Sequence, residues 1–283
     1  PSATHFYWSK NGSTWTEQQV SALPLNISME QGEKVYLKGD EGVWSSSYSN
    51  YIKITATQSH NVGGKLTSLL GENVTTMPDY CFNNLFNGDT ALVDASKLAL
   101  PDFVSESCYS GMFSGCTSLT TAPTALPATT LADGCYVEMF SGCTSLTTAP
   151  ALPATTLADG CYSQMFQDCT SLTTAPALPA TTLAEGCYHS MFNGCEVLET
   201  APELPATTLA PSCYNDMFYG CSSLNTIHYG ATEAPQESYT ENWVYGVPSE
   251  GTFYRTDESW TVSYGVSNVP TGWTVVFEHK HKD

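Results

Sequence analysis

The chain has 283 residues, 28 acidic and 9 basic side chains, and a formal net charge of −19. That imbalance argues against a nucleic-acid partner, because phosphate binding needs a Lys/Arg surface. Hydrophobic residues make up 41% of the chain, enough to build cores, and no apolar run approaches the roughly 18 residues of a helical membrane span.

The amino-terminal stretch reads as short strands at 5–10, 13–17, 25–29 and 34–38. Asn11-Gly12 between alternating aromatic residues is a hairpin signal. All six tryptophans (Trp8, Trp15, Trp44, Trp243, Trp260, Trp273) lie outside the segment that follows. Residues 1–60 are read as a small β-domain that also closes that segment.

Residues 61–228 are repetitive. Cys-Tyr recurs at 108, 135, 161, 187 and 213, in steps of 27, 26, 26 and 26 residues. Each pair leads into Met-Phe, from Met112-Phe113 to Met217-Phe218, and a second cysteine follows eight residues after the first. Leucine comes three residues later, at Leu119, Leu146, Leu172, Leu198 and Leu224. Cys81-Phe82 and Leu85-Phe86 open a degenerate earlier copy in which Asp89 replaces the second cysteine, so about six units are expected. A 26-residue period falls in the ~20–29-residue window of leucine-rich repeats. It predicts an α/β fold: a right-handed solenoid with one short parallel strand and one short helical turn per unit. Cys and Met at i and i+4 would share a helical face, buried by stacking neighbours. Residues 229–283, with strand-like 251–255 and 273–277, are expected to form a β-rich carboxy-terminal cap over the exposed end.

The segment Gly160 to Leu172, Gly-Cys-Tyr-Ser-Gln-Met-Phe-Gln-Asp-Cys-Thr-Ser-Leu, resembles the BspA-type leucine-rich repeat of bacterial surface proteins. Met-Phe stands where that family has Ala-Phe, Leu-Pro where it has Ile-Pro, and the unit is a few residues longer. The resemblance covers about residues 66–228. It implies a secreted or outer-surface, non-enzymatic recognition protein of a host-associated anaerobe such as Bacteroides.

Ten cysteines (Cys108, Cys116, Cys135, Cys143, Cys161, Cys169, Cys187, Cys195, Cys213 and Cys221) recur at equivalent positions. A catalytic nucleophile is unique and has a base beside it, so repetition points to structure. Zinc knuckles use closer spacing. Residues eight apart in a helix lie ~12 Å from each other, and a disulfide needs Cα atoms within ~6.8 Å. The reading favoured is ladders of buried thiols, with disulfides across a broken helix as the alternative.

Two residues before each first cysteine runs a column of acids, Glu106, Asp133, Asp159 and Glu185. Helix N-capping explains it, and a calcium column is the alternative. Threonines at 121, 148, 174, 200 and 226 suit the exposed face of a parallel sheet. Variation inside the array concentrates after each Cys-Tyr, giving Glu138, Gln164, His189 and Asp216, and before the threonine column, giving Glu199 and Asn225. Those six are the candidate ligand-binding residues. The His-Lys-His-Lys run at 279–282 reads as a solvated terminus.

No catalytic set, metal site or cofactor is expected. The expected function is non-catalytic recognition or adhesion by a monomeric array that binds a protein or glycan. A stalk whose amino-terminal domain binds carbohydrate through Trp8, Trp15 or Trp44 is the second reading, and a hydrolase with an unrecognised site the remote third. Residues 98–254 carry 15 acidic side chains and no Lys or Arg, so the negative charge belongs mainly to the array.

Overall fold

The computed structural model describes residues 5–19, 21, 25–39, 45–47, 50–71 and 74–278. Trp44 and the tail at 279–282 lie outside them. The chain is mostly strand, turn and irregular backbone, with few helices and several small parallel sheets. No helix among the described residues is long and apolar enough to cross a membrane.

Strand β1 (His5–Ser9) is the centre of an antiparallel sheet, between β2 (Thr16–Gln19) and β3 (Tyr36–Gly39). The hairpin forms where Asn-Gly predicts it, but its loop is longer than two residues, since Trp8 pairs with Thr16. The reason is the Asn11 side chain. Its Oδ1 accepts the amides of Ser13 and Thr14 at 2.9 and 2.8 Å, which builds a wider turn. Residues 25–29 are not a strand. After a short antiparallel pair, β4 (Ser45–Ser47) and β5 (Asn50–Tyr51), the pairing turns parallel: β6 (His60–Lys65) lies beside β7 (Leu92–Ala99).

From β7 onward, each unit bonds to the next about 26 residues away. Parallel bridges join Asp94 to Thr121, Thr148 to Thr174 and Thr200 to Thr226, with a second rank at Thr130–Thr156 and Thr182–Thr208. The threonine column is exposed at 121, 148, 174 and 200, as its sequence suggests. Its neighbours also bind backbone, for Thr173 Oγ1 donates to the Thr147 carbonyl at 3.3 Å.

The short helical turns do not form. Among the described residues the one α-helix is α1 (Glu237–Thr240). Each Cys-Tyr-x-x-Met-Phe segment is instead a string of tight turns with φ near +50 to +70° at every fourth residue. In one unit these are Ser107, Gly111 and Gly115; in the next, Gly134, Glu138 and Gly142. Amides alternate between two fates. Ser110, Met112, Ser114 and Cys116 donate three residues back within their own unit. Tyr109, Gly111, Phe113 and Gly115 donate to Cys135, Val137, Met139 and Ser141 of the next unit. A helix would close its amides internally; this string spends half of them on holding units together. Glycine suits the last left-handed position because other residues pay about 1–2 kcal/mol there. A Cβ on Gly142 would also sit 3.6 Å from the Gly115 Cα.

Inside, equivalent side chains form columns. Phe113, Phe140, Phe166, Phe192 and Phe218 stack with ring centroids 5.3–5.9 Å apart, and the five repeat tyrosines stack beside them at 5.6–6.0 Å. All are buried, as are the repeat methionines and leucines. The ten repeat cysteines are buried thiols, not disulfides. Each second-position thiol donates to the phenylalanine carbonyl of the preceding unit, at 3.1 Å from Cys143 to Phe113 and 3.1 Å from Cys169 to Phe140.

The turn string recurs once more where no cysteine marks it. Tyr214, Asp216, Phe218 and Gly220 donate to Tyr239, Glu241, Trp243 and Tyr245, and positive φ recurs at Asn242 and Gly246. This copy lies in the segment whose composition suggested a cap. On either side of it in the chain, β8 (Thr226–Tyr229), β9 (Thr252–Arg255) and β10 (Thr274–Phe277) form a parallel sheet in the order β10-β9-β8.

Candidate functional site

The turn strings determine which side chains reach solvent. Within each string, Cys, Tyr, Met and Phe point into the core; of the intervening residues Ser110, Ser190 and Asn215 are also buried, while Glu138 is exposed and Gln164, His189 and Asp216 are partly exposed. Glu138, Gln164 and Asp216 all occupy the middle left-handed position, with φ of 54°, 56° and 53°. Inter-unit bonds hold them in register: Glu138 donates to the Ser163 carbonyl, Gln164 to His189 and Ser190 to Asn215. Four of the six candidate binding residues therefore share one face of consecutive units.

The structure brings three of that face's side chains together. Ser163 Oγ lies 3.4 Å from His189 Nδ1, and His189 Nε2 lies 3.7 Å from Asp216 Oδ2. The three residue types are those of a hydrolytic triad, but the geometry does not support one. Both spacings exceed good hydrogen-bond lengths. The amides beside the hydroxyl are also committed, Ser163 to the Gly160 carbonyl and Gln164 to that of His189, so neither can stabilise an oxyanion. The group is a polar patch.

Glu199 and Asn225 belong to the threonine side instead. The Asn225 amide donates to the Glu199 carbonyl at 2.8 Å. Glu199 lines a shallow groove of about 470 Å³ with Thr173, Thr174, Val197, Thr200 and Pro202.

The acid column has a different task from the one its spacing suggested. With no helix to cap, the two aspartates bind their successors: Asp133 Oδ1 accepts the Asp159 amide at 3.2 Å, and Asp159 Oδ1 accepts that of Glu185 at 3.0 Å. Glu106 accepts the Tyr80 hydroxyl at 2.8 Å. These bonds tie consecutive units together and engage oxygens a cation would need. Among the described residues no three His, Cys, Asp or Glu side chains converge as a metal-ligand set.

The thiols are poor nucleophiles. Burial pushes the Cys108, Cys116, Cys169 and Cys221 thiols up to about 12, which leaves almost no thiolate near neutral pH. In the amino-terminal sheet, Trp15 lies beneath the Lys38 ammonium at 4.5 Å, and Trp8 is half-buried with its indole nitrogen enclosed.

A pair of tyrosines lies outside the candidate residues that the sequence pattern marks. Tyr219 and Tyr245 stack 4.7 Å apart at 15° and are 37% and 49% exposed. Tyr219 follows Met217-Phe218 and Tyr245 follows Trp243-Val244, the position where earlier units carry Ser114, Ser141, Gln167 and Asn193. The substitution of tyrosine in that column was the available signal, hidden because the second one lies in a unit without cysteine.

No protein-family model matches the chain, nor does any curated protein or solved structure.

Proposed function

We propose that this chain is a non-catalytic recognition module: a right-handed solenoid of the leucine-rich-repeat kind, similar to BspA-type surface proteins, that binds a protein or glycan through its turn face. The observation that carries this reading is the register of the turn strings. The Cys, Tyr, Met and Phe of each string face the core, and four variable residues, Glu138, Gln164, His189 and Asp216, stand in adjacent columns, exposed or partly exposed. A rigid surface with an invariant scaffold and changeable outward residues is what recognition by a repeat protein requires. The secreted or outer-surface location, the monomeric state, and the division into an amino-terminal β-domain, solenoid and cap belong to the same proposal.

The test is a binding screen of the full chain against immobilised extracellular-matrix proteins and glycans by surface plasmon resonance. Glu138→Lys, His189→Ala and Asp216→Lys should weaken the ligand found by about tenfold or more together. Thr148→Ser and Thr174→Ser on the threonine side should leave it unchanged. Binding that ignores the turn face and follows changes at residues 5–39 would overturn the reading.

A further inference from the structure

We infer that Tyr219 and Tyr245, with the polar side chains beside them, form a subsite for an uncharged sugar ring. This rests on the turn face being the recognition surface, and it names the ligand class. The two rings continue a column that the earlier units fill with Ser114, Ser141, Gln167 and Asn193. Backbone bonds keep the column in register: the amides of Asp168, Gly194 and Gly220 donate to the carbonyls of Asn193, Tyr219 and Tyr245 at 2.7–2.8 Å. Side chains that are small or amide-bearing thus give way to a stacked, half-exposed aromatic pair.

The surroundings are shaped for a flat ligand. The next residue in each unit is glycine, Gly220 and Gly246, at φ of 72° and 80°, so no side chain follows either ring in the chain. Three residues earlier stand Asp216 and Asn242, whose carbonyls accept the amides of Tyr219 and Tyr245 at 3.1 and 3.0 Å. A residue bearing a carboxylate and one bearing an amide therefore stand one turn from the rings in the chain, the carboxylate also lying 3.7 Å from His189 Nε2. A pyranose has an apolar C–H face and a hydroxyl rim. The inner faces of the stacked pair cover each other at 4.7 Å, so the C–H face would lie on an outer ring face, and hydroxyls suit carboxylate and amide partners.

Charge and area narrow the class further. Residues 98–254 hold 15 acidic side chains and no Lys or Arg, so sulfated or carboxylated glycans would be repelled. Among the described residues from 98 onward the exposed large hydrophobic side chains are Val197, Tyr219, Tyr245, Tyr264 and Val266, and the Val266 carbonyl accepts the Val244 amide at 3.1 Å. A stable protein interface buries about 800 Å² per partner around an apolar core. These few side chains are a small core by that measure, and the two stacked rings match one or two sugars in size.

The experiment is native affinity electrophoresis of the full chain in gels containing hydroxyethyl cellulose, laminarin or galactomannan, with heparin as the anionic comparison. At least one neutral polysaccharide should retard the protein and heparin should not. Tyr219→Ala and Tyr245→Ala should each weaken retardation about tenfold, while Tyr245→Phe, which keeps the ring face, should stay within about threefold of the parent. Circular dichroism and Tm establish that the variants are folded, as expected for exposed positions. Absence of retardation by all three neutral polysaccharides, or equal retardation of the alanine variants, would overturn the subsite. A protein ligand sensitive to Glu138 and Asp216, without polysaccharide binding, would overturn the subsite and leave the recognition face standing. Polysaccharide binding abolished only by Trp8→Ala or Trp15→Ala would overturn both.

Discussion

The two ends of the stacked core are closed by opposite chemistry. At the amino end, Asp89 replaces the second cysteine. Its buried carboxylate accepts the amides of Ala91 and Ala56, each at 3.1 Å, and lies 3.3 Å from His60 Nε2. At the carboxy end, Trp243 stands where methionine stood. It packs on Tyr214 and Phe218 at 6.3 and 6.1 Å, and its indole nitrogen donates to the Asn268 carbonyl at 2.8 Å. The difference follows from what arrives at each end. The first unit meets incoming backbone that has no equivalent unit to bond, so it needs an acceptor. The last unit faces the side chains of Tyr229 and Phe253 and needs volume. A repeat can be ended by meeting its polar demand or its apolar one, and this chain does each once.

The largest effect should come from the apolar end. Trp243→Ala leaves a large void against stacked rings and should cost about 3–5 kcal/mol in urea unfolding. A loss below about 1 kcal/mol would mean that the carboxy-terminal sheet seals the stack without it. The interior between the ends supplies a reference. Gly142→Ala forces a side chain into left-handed backbone and should cost about 1–2 kcal/mol. Gln164→Gly relieves the same conformation and should be neutral or gain less than about 1 kcal/mol. Equal effects from the two would deny the turn string its backbone constraint.

The polar end should respond to pH. The hydrogen bond from His60 to Asp89 raises the imidazole above its ordinary value, against partial desolvation. A raised folded value means that the stabilisation is complete below the unfolded value of about 6.5 and is lost as pH rises through the folded one. His60→Ala should therefore cost about 1 kcal/mol near pH 5.5 and much less near pH 8.5, because the ring is partly exposed. The Trp243→Ala loss should be flat over that range, so parallel pH profiles would erase the contrast. The smallest effect is a count: denatured, unreduced protein should titrate eleven thiols, and a result near one would require disulfides throughout the array.

How much of this was legible follows from periods. The repeat, the buried thiols and the exposed threonines could be read because identical residues recur at identical steps. The turn string could not be told from a helix by its apolar residues, since Cys108 and Met112 are four apart in either. The distinguishing mark lay elsewhere, in the residues at every fourth position. Gly111, Gly115, Gly134, Gly142, Gly160, Asp168, Gly186 and Gly194 are types that tolerate left-handed backbone and serve a helix interior badly. The extra unit at 239–247 stayed hidden because Trp243, Val244 and Val247 replace its Met, Phe and second Cys. The Ser163–His189–Asp216 patch required knowing which residues 26 positions apart become neighbours.

The alternate amides that leave each turn string have a mechanical consequence. They point from one unit to the next, along the direction in which the units succeed one another. Tension applied between the two ends would load one junction's bonds at a time, opening it like a zipper instead of shearing many together. Each 26-residue unit freed would lengthen the chain by about 90 Å, so the array would yield in small, even steps, a built-in shock absorber for anything it holds.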